Sequence, residues 1–94
     1  MNGRDAPKAT VLPEQEAESW AVELESWALV REKILGKPRE AAQAREARHV
    51  AHEIRALARE IRDARLLNDH ASAGILLETL GSLRSRALGL LTQR

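Results

Sequence analysis

The sequence predicts an all-α protein of three helices, and three observations support that fold class. The chain has 94 residues with no Phe, no Tyr and only two Trp, so its core must consist of Leu, Ile, Val and Ala, which suit close helix packing. Apolar residues recur at helical spacing along three stretches. Gly-Lys-Pro at 36–38 and Asn-Asp at 68–69 separate those stretches, and such residues end one helix and begin the next. We therefore predict an antiparallel hairpin (about 13–35 and 38–67) followed by a Leu-rich third helix (about 70–92).

The stretch before the first helix carries no periodic pattern. It contains Gly3, Pro7 and scattered charges, which are typical of an unstructured terminus. We predict a disordered N-terminal lead over 1–12 and a single helical domain over 13–94, since a chain of this length fits one domain.

The first helix is predicted to begin at Pro13, because proline suits the first helical turn. Its apolar stripe consists of Ala17, Trp20, Leu24, Trp27 and Ile34, interrupted only by Arg31. We interpret Trp20, Leu24 and Trp27 as core anchors. The alternative is that the two Trp residues bind a partner, since Trp is enriched at interaction hot spots.

The second helix is predicted from a pattern that repeats every seven residues. Its apolar positions include Val50, Ile54, Leu57 and Ile61, and Ala44, Ala51 and Ala58 form a small-residue row beside them. Glu46, Glu53 and Glu60 flank this face at the same spacing, as charges flank a coiled-coil seam. The segment 13–35 carries six Glu against Arg31 and Lys33, whereas 38–67 carries seven Arg against four Glu and Asp63. We expect the acidic and basic helices to pair.

The third helix is more apolar than one packing face requires. Its main stripe includes Leu76, Leu80 and Leu83, and further Leu residues widen that stripe beyond one side. Because soluble monomers rarely leave such a patch exposed, we predict a homo-oligomer, most simply a dimeric helical bundle. The residues that we expect to form its core or its interface are Trp20, Leu24, Trp27, Val50, Ile54, Leu57, Ile61, Leu76, Leu80 and Leu83.

A basic stripe runs along the second helix, opposite the predicted core. It comprises Arg45, Arg48, His52, Arg55, Arg59 and Arg62. The simplest interpretation is a solvated face of Arg and Glu. The alternatives are a polyanion such as nucleic acid, whose phosphates a row of Arg can contact, or an acidic protein partner. Neither interleaved aromatic residues nor a helix-turn-helix pattern supports nucleic acid.

The sequence offers little chemistry. It has no cysteine, no glycine-rich phosphate loop and no serine in a nucleophile elbow. His49 and His52 stand one turn apart beside Glu53, but neither metalloprotease order of His and Glu is present. We expect no catalytic residue, no metal and no cofactor.

Function is therefore expected to be binding. The chain shows no signal-peptide pattern and no apolar run of membrane-spanning length, so we expect a cytoplasmic protein without membrane contact. We predict a small non-enzymatic helical adaptor, chaperone-like protein or inhibitor that acts as a homo-oligomer on an unidentified protein. The alternative is a nucleic-acid-binding accessory protein that uses the basic stripe. The size and hairpin pattern of the chain are typical of small bacterial and phage helical proteins, but this likeness concerns architecture alone.

Overall fold

The computed structural model describes residues 11–92 and confirms the all-α fold class. It contains three α-helices and one π-helical turn: α1 (Pro13–Val30), the π-helical turn (Arg31–Leu35), α2 (Pro38–Leu66) and α3 (His70–Leu91). No strand is present in the described residues. The helix ends fall close to the predicted boundaries. Most of the predicted N-terminal lead lies outside the described residues, and Val11 and Leu12 precede α1 without helical structure.

The connection between α1 and α2 has the predicted chemistry. Gly36 adopts a left-handed conformation with φ of 65°, which glycine reaches without steric cost. Its N–H donates to the Arg31 carbonyl oxygen at 3.1 Å, and Pro38 occupies the first turn of α2. This short connection reverses the chain, so α1 and α2 form an antiparallel hairpin.

The π-helical turn corrects one part of the predicted apolar stripe. In the wider turn the side chains leave the 3.6-residue period, and Ile34 is 73% exposed whereas Arg31 is 8% exposed. The Arg31 guanidinium lies 4.5 Å from the centre of the Trp27 ring and donates to Gln43 Oε1 at 3.1 Å. The placement of Ile34 on the core face was wrong, because an α-helical period does not hold through a π-helical turn.

The turn between α2 and α3 also reverses the chain. Asn68 adopts a left-handed conformation with φ of 58°, which asparagine tolerates better than most residues. The Asp69 carboxylate then accepts a hydrogen bond from the Ser72 N–H at 3.1 Å. This contact is a standard N-cap, and α3 folds back along α2.

The core lies where the three helices meet. Its larger fully buried side chains are Leu24 from α1, Val50, Ile54 and Ile61 from α2, and Leu80 from α3. Most other core positions are alanines, including Ala17, Ala21 and Ala28 on α1 and Ala44, Ala47 and Ala51 on α2. Small side chains allow the helix axes of the hairpin to approach closely.

Candidate interaction surfaces

The six residues of the predicted basic stripe divide into two groups. Arg48 and Arg55 are partly buried, whereas Arg45, His52, Arg59 and Arg62 are exposed. Arg48 and Arg55 lie seven residues apart on one line of α2, and Arg45, His52 and Arg59 lie on a neighbouring line. Arg62 continues the first line but is exposed. The stripe is therefore not one uniform basic surface.

Arg48 and Arg55 face α1 and bind its carboxylates. The Arg48 guanidinium donates to the two carboxylate oxygens of Glu32 at 2.9 and 3.1 Å, and Arg55 binds Glu25. The pairing is antiparallel: a step of seven residues towards the C-terminus of α2 matches a step of seven residues towards the N-terminus of α1. We call these two pairs the ion-pair ladder. They confirm that the acidic and basic helices pair.

The same contacts shift the pKa values of residues in the ladder. The hydrogen bonds from Arg48 lower the pKa of the Glu32 carboxyl, and the guanidinium charge acts in the same direction. The pKa values of Arg48 and Arg55 are raised, first by their hydrogen bonds to Glu32 and Glu25. Both guanidiniums are therefore engaged within the chain, which removes two cations from the predicted ligand surface.

A third contact joins the hairpin near its open end. Arg65 Nε lies 2.5 Å from Glu14 Oε2, and Glu14 is 5% exposed. A buried carboxylate is costly unless it is paired, and this contact pairs Glu14 Oε2, whereas Glu14 Oε1 has no hydrogen-bond partner among the described residues.

The ladder was readable from the sequence but was not predicted residue by residue. Glu18, Glu25 and Glu32 are spaced by seven, as are Arg48, Arg55 and Arg62. Read in opposite directions, the two rows place Glu18 against Arg62 as a third pair. No ion pair joins Glu18 and Arg62 in the described structure, and both side chains are exposed.

The side of the ladder away from the core carries two parallel rows. On α1, Val22 and Leu29 are 52% and 49% exposed. On α2, the outer row is Arg45, His52 and Arg59, all exposed. The inner neighbours of the ladder, such as Ala21 and Ala51, are buried, which fixes these two rows as outward-facing. We call this surface, composed of both rows and the ladder between them, the hairpin face.

The opposite edge of α2 contacts α3 through the predicted Glu row. Arg86 binds Glu46, and its Nη1 lies 3.7 Å from Glu53 Oε1. Beside these contacts an open groove of about 270 Å³ lies between the two helices. Its lining residues are Glu53, Ala56, Leu57, Glu60, Thr79 and Leu83.

Trp20 and Trp27 are only partly buried, although both pack against the core. The Arg84 guanidinium lies 5.0 Å from the centre of the Trp20 ring, a cation–π contact that joins α1 to α3. Next to it is a cleft of about 180 Å³. The cleft is lined by Trp20, Glu23, Arg84, Ala87, Leu88 and Leu91.

Most residues predicted for the core or the oligomer interface lie inside the chain's own core. Leu24, Val50, Ile54, Leu57, Ile61 and Leu80 are buried, while Leu76 and Leu83 are partly buried. A buried side chain already packed within one chain is not available to a partner. These six buried side chains are therefore not available to an oligomer interface, whereas Leu76 and Leu83 retain exposed surface.

Five of the exposed large apolar side chains gather at the end where the α2–α3 turn lies. They are Val11, Leu12, Leu66, Leu67 and Ile75. The contact between Glu14 and Arg65 brings the start of α1 beside the end of α2, so these side chains occupy one end of the molecule. We call this surface the apolar end. The apolar end was not predicted, because Leu66 and Leu67 continue the apolar pattern of α2.

The described residues show no metal site. His49 Nε2 lies 3.4 Å from Glu53 Oε2, but no group of three or more His, Cys, Asp or Glu between residues 11 and 92 is arranged to hold an ion. None of the helices between those residues has both the length and the apolar character needed to cross a membrane. No protein-family model, curated protein or solved structure matches the chain.

Proposed function

We propose that this protein is a non-enzymatic helical binding protein, an adaptor, chaperone-like protein or inhibitor, which self-associates and acts on another protein. The observation that supports it is the apolar end, where Leu66 and Leu67 are 75% and 79% exposed and Ile75 is 67% exposed. We further propose that it works in the cytoplasm, since a chain without cysteine suits a reducing compartment.

Energetics favour burial of the apolar end against another surface. Removing one Leu or Ile side chain from water is worth about 1.5–3 kcal/mol, and Leu66, Leu67 and Ile75 are all exposed at this end. Contiguous apolar patches on soluble proteins commonly mark interaction sites. A second copy is the simplest occupant, because a two-fold axis lets one patch cover its own counterpart.

The proposal is tested by sedimentation of the full chain over a hundredfold concentration range. We expect an oligomer that dissociates on dilution, and L66S/L67S should weaken association at least tenfold. The matched control is V22S/L29S, which makes two similar changes on exposed positions of the hairpin face and should leave association unchanged. A wild-type chain that sediments as a monomer throughout the range would contradict self-association.

A second candidate function is nucleic-acid binding, and one observation favours it. Arg45, Arg59 and Arg62 are exposed and have no ion pair with the rest of the described chain. Against it, Arg48 and Arg55 are bound to Glu32 and Glu25, so the basic surface is smaller than the sequence indicated. Titration of duplex DNA across a salt series distinguishes nucleic-acid binding from protein binding, because phosphate contacts predict an affinity for DNA that falls steeply with salt.

A further inference from the structure

We propose that the hairpin face binds an acidic amphipathic helix of another protein. This inference rests on the proposed protein-binding function and names the surface and the partner class. It follows from the arrangement of the two outward rows, Val22 and Leu29 on α1 and Arg45, His52 and Arg59 on α2.

The side chains within each row are spaced like those on one line of an α-helix, so a bound helix could contact both rows at the same interval. Residues seven apart on an α-helix are about 10.5 Å apart along its axis. Val22 and Leu29 supply two apolar contacts at that spacing, and Arg45 and Arg59 supply cations at either end of a second row at twice that spacing. A helix with apolar residues on one line and carboxylates on the adjacent line presents the same repeat to both rows.

The ladder between the two rows contributes little net charge to the hairpin face. Its carboxylates and guanidiniums bind each other, Arg48 to Glu32 and Arg55 to Glu25, so their charges are largely compensated. Arg45 and Arg59 form no ion pair within the described residues, although the charge of Arg45 helps to lower the pKa of the Glu32 carboxyl. The unpaired positive charge therefore lies at the outer edge of the hairpin face, with apolar side chains along its other edge.

This combination suits an acidic helix better than nucleic acid. A phosphate backbone makes no use of Val22 and Leu29, which are about half exposed and would remain in water. Asp63 also lies one turn beyond Arg59 on α2 and weakens the field that phosphates would meet. A protein helix, in contrast, gains from both the apolar contact and the charge.

The ladder row of α1 in a second copy does not supply the required helix. The acidic line of α1 is Glu18, Glu25 and Glu32, and two of these three carboxylates are already bound to α2. Docking them on the hairpin face of another copy would break the ladder. The hairpin face and the apolar end are therefore assigned to different partners.

The test uses a fluorescently labelled peptide of about four heptads, with Leu at the a and d positions and Glu at e and g. Repulsion between the Glu residues keeps this peptide from pairing with itself at neutral pH. Fluorescence anisotropy with the full chain should show saturable binding. The same peptide with Lys in place of Glu should bind at least tenfold more weakly.

Variants locate the binding. R45Q/R59Q and V22S/L29S should each weaken the acidic peptide at least tenfold. K37Q/R39Q removes two positive charges beside the α1–α2 connection and should change binding less than twofold. Circular dichroism and urea unfolding of every variant confirm that the comparison is made between folded proteins.

The outcomes separate this inference from the proposed function. If the peptide fails to bind while L66S/L67S still weakens self-association, the hairpin-face assignment is wrong and the proposed function stands. If a DNA duplex of about 20 base pairs displaces the peptide and loses affinity with R45Q/R59Q, the face is a phosphate-binding surface instead. Equal loss with K37Q/R39Q would show general charge attraction and would also overturn the assignment.

Discussion

Arg48 of α2 holds both carboxylate oxygens of Glu32 on α1, at 2.9 and 3.1 Å. A bidentate contact of this kind fixes orientation as well as distance. Seven residues further along α2, Arg55 repeats the contact with Glu25. A slip of one helix by half a repeat would place Arg48 and Arg55 opposite uncharged residues such as Ala28 and Leu29, so the two pairs oppose that slip. The apolar stripe of alanines beneath them would tolerate several registers, since its members are nearly identical.

The first prediction concerns this choice of register. In R55E a second carboxylate meets Glu25, and the free energy of unfolding should fall by about 1 kcal/mol at low salt. The exchanged pair E25R/R55E should recover most of that loss, because the opposite charges meet again. Urea unfolding followed by circular dichroism measures both values.

The control for this prediction is Arg62, which continues the same row but has no ion pair in the described residues. R62A should change stability by less than about 0.5 kcal/mol. The interpretation fails if E25R/R55E is no more stable than R55E, since the two residues would then act independently.

The helices and their antiparallel order were predictable because they depend on local signals. Gly36, Pro38 and Asp69 act where their backbone preferences indicated, and the apolar period located the buried face of α2. The π-helical turn was not predictable, because an i→i+5 hydrogen bond depends on how α1 packs at its end and not on a residue preference. The exposure of Ile34 followed from that turn.

The candidate surfaces were predictable only in part. The basic row on α2 was visible, but its division into Arg48 and Arg55 on one side and Arg45 and Arg59 on the other depends on which flank faces α1. That flank is set by the packing of both helices. The apolar end was hidden for the same reason, since Leu66 and Leu67 look like core residues until the end of the helix is located.

The second prediction concerns glycines inside α3. A Cβ atom at Gly81 would meet no other group within 4 Å, and glycine in an exposed helix interior costs about 1 kcal/mol relative to alanine. G81A should therefore stabilise the protein by about 0.5–1 kcal/mol. Thermal and urea unfolding of the isolated chain at low concentration measure the change.

Gly36 provides the opposite control. Its φ of 65° is unfavourable for a residue with a Cβ atom, so G36A should destabilise the hairpin by about 1 kcal/mol. If G81A were destabilising at high protein concentration only, a neighbouring copy would be occupying the open side of α3. If G81A were destabilising at every concentration, the assignment of Gly81 as an open helix position would be wrong.

The third prediction tests which side chains carry the core. Leu24 is fully buried between the helices of the hairpin, and truncation of a buried Leu to Ala typically costs 2–5 kcal/mol. L24A should lie in that range, which is a large part of the stability of so small a domain. The change is measured from the urea midpoint and slope.

Leu29, five residues along the same helix, is the matched comparison because it is 49% exposed. L29A should cost less than about 1 kcal/mol, since surface substitutions rarely exceed small values. Similar losses for L24A and L29A would mean that α1 packs on α2 with a different face from the one described.

The fourth prediction is a dependence of stability on pH. Hydrogen bonds from Arg48 lower the pKa of Glu32, and hydrogen bonds from Ser72 lower the pKa of Asp69. A carboxyl with a lower pKa in the folded state binds a proton more readily when unfolded. The contribution of that carboxyl to the free energy of unfolding is therefore fully present above its pKa in the unfolded chain, about 4. It is lost as the pH falls through the pKa of the folded state.

Urea midpoints should consequently change little between pH 7 and pH 5 and should fall below about pH 4. D69N is the informative variant, because Asn also caps helices but does not ionise over this range. It should retain most of the stability at low pH and lose part of the pH dependence, and E32Q should reduce that dependence further. Identical pH profiles for the wild type and both variants would show that the ion-pair ladder and the N-cap of α3 do not govern the acid response.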